Sequence, residues 1–302
     1  MGENGGKTAH EISPPRDWLW RRDIPDFHPW RQPRCQGLAT PGRTCHHPHR
    51  FSGRIKDIFL GISWSLGAWR PVLRHVADAR AVAITIDDAP TPETMPAMLD
   101  LLDHYRGKAT FFMSGCRAVE HDALVADTVH RGHAIYAHGW EHIRLDRAGP
   151  DRLIADMEKC EALLTRHRPT PNPYLVRLPY NGGYRNATVH RALQRWQPGC
   201  QIAHWGPSTE DHLISTRCQS DADIAPQCAA EVDRILADPR LPGAIILMHD
   251  QPINERPGSQ FKAAVTVELL RQLLDRLSGA GYACVTIPPA PTAPWWSRYA
   301  LV

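Results

Sequence analysis

The sequence predicts an α/β protein with parallel strands, a seven-stranded relative of the β/α barrel. Two observations carry that expectation. From residue 80 onward, short apolar or β-branched runs alternate with longer amphipathic ones. That alternation implies parallel pairing through right-handed crossovers. No GxGxxG follows the first run, so the open sheet that binds dinucleotides lacks its signature.

The strand-like runs are 82–86 (VAITI), 109–113 (ATFFM), 134–137 (AIYA), 174–178 (YLVRL), 201–205 (QIAHW), 244–248 (AIILM) and 283–287 (ACVTI). Helical spacing lies between them. Leu153, Met157, Cys160 and Leu164 recur at intervals of three and four, and Val265, Leu269, Leu273 and Leu277 at intervals of four. Gly107, Gly132 and Gly281 fall where helices should stop.

Residues 1–78 read differently, as an irregular extension ahead of a domain at 79–302. Trp18, Trp20 and Trp30 argue against simple disorder, but Pro25, Pro29, Pro33, Pro41 and Pro48 forbid long elements. The run CHHPH at 45–49, with Cys35 before it, offers metal-capable side chains. Without a second CxxC or HxxxH it reads as a solvated basic loop.

The chain has 302 residues, with 35 Lys plus Arg against 32 Asp plus Glu, and 42% of it is apolar. A net charge of only +3 gives no electrostatic case for a nucleic-acid partner or an anionic membrane. None of the eight cysteines forms a CxxC pair, which excludes zinc-ribbon and thioredoxin readings. Cys218 and Cys228 are spaced to close a local loop, with free thiols the equal alternative. The longest apolar stretch, residues 58–69, falls short of the about 20 residues a spanning helix needs. As written, the chain begins without a signal peptide and reads as cytoplasmic; a true start near residue 50 would make residues 58–69 an export-signal core. Oligomeric state is not legible.

Chemistry in parallel α/β folds collects at the carboxyl ends of strands. Asp87 and Asp88 follow the first run, His138 and His142 the third. Arg177, Pro179 and Tyr180 close the fourth, Trp205 and Asp211 follow the fifth, and His249–Asp250 the sixth. Two adjacent carboxylates repel unless a cation or an arginine compensates them. One Asp with two His leaves a divalent metal open positions, as in catalytic sites, and frees the neighbouring Asp to act as a base.

HGWEH at 138–142 also fits the inverted zincin pattern, in which both histidines share a helix face and the glutamate is the base. Gly139 and the preceding strand-like AIYA favour a strand-end loop instead. A non-catalytic binding protein on the same scaffold is the remaining class.

TIDDAP (85–90), HGWEH (138–142), RLPY (177–180) and LMH (247–249), in this order, resemble the motifs of the NodB-homology polysaccharide deacetylases, carbohydrate esterase family 4. The resemblance spans roughly residues 80–289 and implies a distorted (β/α)7 barrel behind the Pro/Trp-rich extension. It implies a metal-dependent hydrolase that removes an acetyl or other small acyl group from a carbohydrate, with a non-sugar amide as the alternative substrate. Asp88, His138 and His142 would hold a divalent ion, zinc first, with cobalt or another divalent ion as alternatives. Asp87 would be the base and Arg177 its orienting partner. The Tyr180 N–H would hold the oxyanion, and His249 would be the acid. Trp205 and Pro179 would face the substrate. The fourth motif departs from the family: in WGPSTEDH (205–212), Ser208 and His212 stand where Asp and Trp are common, leaving Asp211 to tune His249. Ala89 replaces a usual Gly and Ile143 a common Pro.

Overall fold

A computed structural model describes residues 69–251 and 259–288. The CHHPH run, Cys35, the N-terminal tryptophans and most of the stretch 58–69 lie outside the described residues. Eight strands are present among them: β1 (Val72–Leu73), β2 (Ala81–Ala89), β3 (Thr110–Met113), β4 (Ala134–Ala137), β5 (Leu175–Val176), β6 (Gln201–Ala203), β7 (Ile245–His249) and β8 (Ala283–Cys284). The helices are α1 (Met95–His104), the single turn α2 (Gly115–Ala118), α3 (Asp122–His130), α4 (Pro150–Leu164), α5 (Ala187–Trp196), α6 (Asp211–Arg217), α7 (Ile224–Leu236) and α8 (Lys262–Gly279).

All seven expected strands form, and every pairing between strands is parallel. β1 is an addition: it pairs with β6 through Val72↔Ile202, so the fold begins before residue 79. A two-residue strand has no period to read, which is why the sequence hid it.

The ladder runs β4-β3-β2-β7, with β8 beside the start of β2, and a second ladder runs β1-β6-β5. The two are not one closed ring of backbone pairing. Near β7 they are stitched by bridges His75↔Ala244 and Ser208↔Leu247. Between β4 and β5 side chains replace the ladder. The Tyr174 hydroxyl accepts from the Ala137 N–H at 2.9 Å, and His138 Nδ1 pairs with the Arg177 carbonyl at 2.8 Å.

β2 is buried along its whole length, as a central parallel strand covered on both faces must be. Helices α4 and α8 turn their predicted apolar stripes inward, burying Leu153, Met157, Cys160 and Leu164 in one and Val265, Leu269, Leu273 and Leu277 in the other. The six cysteines among the described residues are free thiols, so Cys218 and Cys228 do not pair. No helix among the described residues is long and apolar enough to cross a membrane.

Candidate metal centre and active site

Strand register brings the reactive residues to one rim. β2 and β7 pair Asp87 with His249, and the Asp250 N–H donates to the Asp87 carbonyl at 2.9 Å. The β2/β3 register slips between Asp87 and Ala89, and Asp88 takes φ 66°, which aims successive carboxylates at the same rim instead of opposite faces. β4 ends at Ala137, and the next N–H, of His138, bonds to the Met113 carbonyl at 2.8 Å.

HGWEH is a loop. Gly139 has φ 83°, which only glycine adopts cheaply, and a Cβ there would stand 3.0 Å from Asp156 Oδ1. His142 also has positive φ, 49°. Backbone strain at a metal-capable histidine and at Asp88 is the kind that clusters where geometry is functional. Glu141 is half exposed and forms a 2.6 Å ion pair with Arg152, away from the cluster, so the zincin reading loses both its helix and its base.

Asp88 Oδ1 lies 2.8 Å from His142 Nε2 and 3.5 Å from His138 Nε2, and all three side chains are buried. Donor atoms around a tetrahedral zinc sit roughly 3–3.5 Å apart; the 3.5 Å separation lies in that range and the 2.8 Å one just short of it, so a small outward shift of His142 would admit one divalent cation. The protonation pattern fits as well. With its Nδ1 opposite a carbonyl, which can only accept, His138 carries its proton there and turns the Nε2 lone pair toward Asp88. Burial lowers the His138 pKa against the pull of Asp87 and Asp88, which favours the neutral ligand form. Burial pushes the Asp88 carboxyl up, but His142, His249 and His138 together hold it well below the usual range.

Asp87 belongs to Arg177. The guanidinium is 2% exposed, donates to Asp87 Oδ1 at 2.8 Å and to Thr85 Oγ1 at 2.6 Å, and its Nε donates to the Ala203 carbonyl at 2.9 Å. Phe112 and Trp205 flank it, with ring centroids 4.4 Å and 5.2 Å from its central carbon. Arg177 thus neutralises one carboxylate and leaves the other for a cation. Asp87 Oδ2 remains 3.8 Å from His138 Nε2, beside the cluster but directed differently from Asp88.

On the opposite side, His249 Nδ1 meets Asp211 Oδ1 at 2.9 Å, and Asp211 Oδ2 accepts the His249 backbone N–H at 2.5 Å. Burial opposes the imidazolium, but Asp211, with Asp88 and Asp87, raises the His249 pKa to about 10. Asp211 is the partner expected from the altered fourth motif.

The remaining expectations divide. Tyr180 lies at the rim with φ 58°, 43% exposed, its ring 4.8 Å from His142. Trp205 is half-buried, stacked on His204 at 4.4 Å and against Arg177. Pro179 is buried, its Cγ 3.6 Å from where a Cβ on Gly139 would stand, so it packs against the Gly139 turn.

Two supporting residues escaped the sequence reading. Asp156, on α4, accepts the Trp140 N–H at 2.5 Å and so holds the histidine loop. A carboxylate on the apolar face of a helix, between Leu153 and Met157, was the available signal. Arg117, on α2, donates to the Asp88 carbonyl at 2.7 Å, Thr91 Oγ1 at 3.0 Å and the Gln251 carbonyl at 2.9 Å. Nothing in its local sequence foretells that it clamps two strand-end loops.

Comparison with known proteins adds a separate line. A family model described as polysaccharide deacetylase matches residues 74–197. A peptidoglycan-N-acetylglucosamine deacetylase of Bacillus cereus is 30% identical over 209 residues, 69% of this chain and 86% of its own. A chitooligosaccharide deacetylase of Sinorhizobium fredii is 28% identical over 222 residues, 72% of this chain and 95% of its own. The solved Bc1960 peptidoglycan N-acetylglucosamine deacetylase superposes with a TM-score of 0.59 at 25% identity, covering 75% of this chain and 94% of that one.

Proposed function

The chain belongs to the polysaccharide deacetylase family, and from that premise we propose that it hydrolyses the N-acetyl group of a 2-acetamido sugar in an oligosaccharide or glycan strand. One observation carries the proposal: the Asp88, His138 and His142 donor atoms converge within 4.8 Å, with Asp87–Arg177 on one side and His249–Asp211 on the other. A binding protein needs no such division of roles.

Asp88, His138 and His142 would hold a divalent cation, zinc by their mixed imidazole and carboxylate donors, and that cation would supply Lewis acidity to the acetyl carbonyl and acidify water beside it. Asp87, fixed by Arg177, takes the proton of the attacking water. The backbone N–H of Tyr180 would hold the developing oxyanion, a contribution of about 3 kcal/mol where one such donor is removed. His249, protonated and oriented by Asp211, passes its proton to the sugar nitrogen as the carbon–nitrogen bond breaks, giving acetate and a free amine.

The test is acetate release by metal-free protein resupplied with zinc or cobalt. It compares N-acetylglucosamine oligomers, peptidoglycan strands and simple acetamides. Turnover of the sugars alone supports the proposal. Turnover of acetamides alone moves the substrate to non-sugar amides, and no metal-dependent release from any of them ends the reading.

A further inference from the structure

Next to the first cluster stands a second group of one carboxylate and two imidazoles. Asp211, His212 and His249 each offer a donor atom, all within 4.8 Å of one another. Asp211 Oδ1 is 2.9 Å from His249 Nδ1 and 3.7 Å from His212 Nδ1. The His212 N–H donates to that same oxygen at 2.7 Å, which pins the residue against the carboxylate. Its ring nitrogen Nδ1 is buried and has no hydrogen-bond partner among the described residues. The two rings meet edge to face at 6.1 Å. A buried imidazole nitrogen beyond hydrogen-bond distance of any described residue, and 3.7 Å from a carboxylate that already orients the acid, gives that carboxylate and the two rings the spacing of a donor set.

We propose that Asp211, His212 and His249 form a second, weaker divalent-cation site whose filling replaces the His249 imidazolium with a metal-bound neutral imidazole, a far weaker acid. Two imidazoles and a carboxylate suit zinc, nickel or copper(II) better than magnesium or calcium. The separations of 2.9 and 3.7 Å bracket the roughly 3–3.5 Å expected between donors on a tetrahedral ion. The His212 and His249 side chains are 28% and 21% exposed, while the Asp211 carboxylate and the His212 Nδ1 are buried behind them. Filling is unfavourable beside an occupied first cluster, because the two ions repel and the His249 Nδ1 proton must leave for solvent. The metal that activates at one equivalent therefore suppresses turnover in excess. The loss of turnover rests on His249 being the proton donor proposed above; the binding does not.

The experiment takes full-length protein carrying one zinc per chain and titrates further zinc. It reads bound metal by equilibrium dialysis and elemental analysis alongside acetate release. The wild type should take up a second ion as its rate falls. His212→Phe should stop at one ion, keep its rate at one equivalent, and resist excess zinc by about tenfold or more. Should His212→Phe fail to fold, His212→Gln is read in the same way. A wild type that stops at one ion, or a variant that still binds two with unchanged inhibition, overturns the proposal. Binding of the second ion without turnover of any acetamido sugar would instead count against the catalytic reading alone.

Discussion

Asp211 and His249, 38 residues apart in the chain, are joined twice: ring nitrogen to one carboxylate oxygen at 2.9 Å and backbone N–H to the other at 2.5 Å. The double contact fixes both the tilt of the ring and the position of β7's last residue. It also sets the charge. His249 is raised to about 10, so its acid form persists through neutral pH and is lost as pH climbs through that value.

Asp211→Asn removes the negative charge but keeps the size. The alkaline fall of the rate profile should then move down from near 10 toward the ordinary imidazole range, about 6.5. Measuring kcat from pH 5 to 10 for both proteins checks it. An unmoved alkaline limb would show that another group supplies the proton.

Asp87→Asn and Asp88→Asn should fail differently. The first should keep bound metal and lose turnover by about 10²–10⁴-fold, as expected for loss of a general base. The second should lose the metal itself. Metal content beside rate distinguishes them, and a metal-free Asp87→Asn would mean that the two roles are exchanged.

Arg177→Leu leaves Asp87 charged and buried without its partner. Breaking such a pair costs about 3–5 kcal/mol, a large part of a domain's stability, which urea unfolding would register as a lowered midpoint. A loss below about 1 kcal/mol would mean that water reaches Asp87 and the site is wetter than its burial indicates.

Asp156→Ala tests whether the histidine loop is held from α4. The Trp140 N–H loses its acceptor, and zinc affinity should fall by about 10–100-fold, the usual effect of a group that orients ligands. Competition with a chromophoric chelator measures it.

Glu141→Gln should change neither metal affinity nor turnover, because that carboxylate pairs with Arg152 outside the cluster. Activity lost at this one position would restore the zincin mechanism.

What the sequence by itself determined is the order of the elements and which residues gather at the strand-end rim. Strand runs such as VAITI and AIYA are read from composition over a few residues. A parallel α/β chain then has one place to collect Asp87, Asp88, His138, His142, Arg177 and His249. Gly139 revealed a loop because glycine's backbone freedom is a local property. Tertiary structure decided what depends on partners far apart in the chain. The seam between β4 and β5 is closed by Tyr174 and His138 where a ladder was expected, β1 joins through two residues too short to show a pattern, and Pro179 packs against the Gly139 turn. Asp156 and Arg117 became supports for the same reason. Periodicity reports which face of an element is apolar, but hydrogen bonds depend on distances that exist only once the strands have paired.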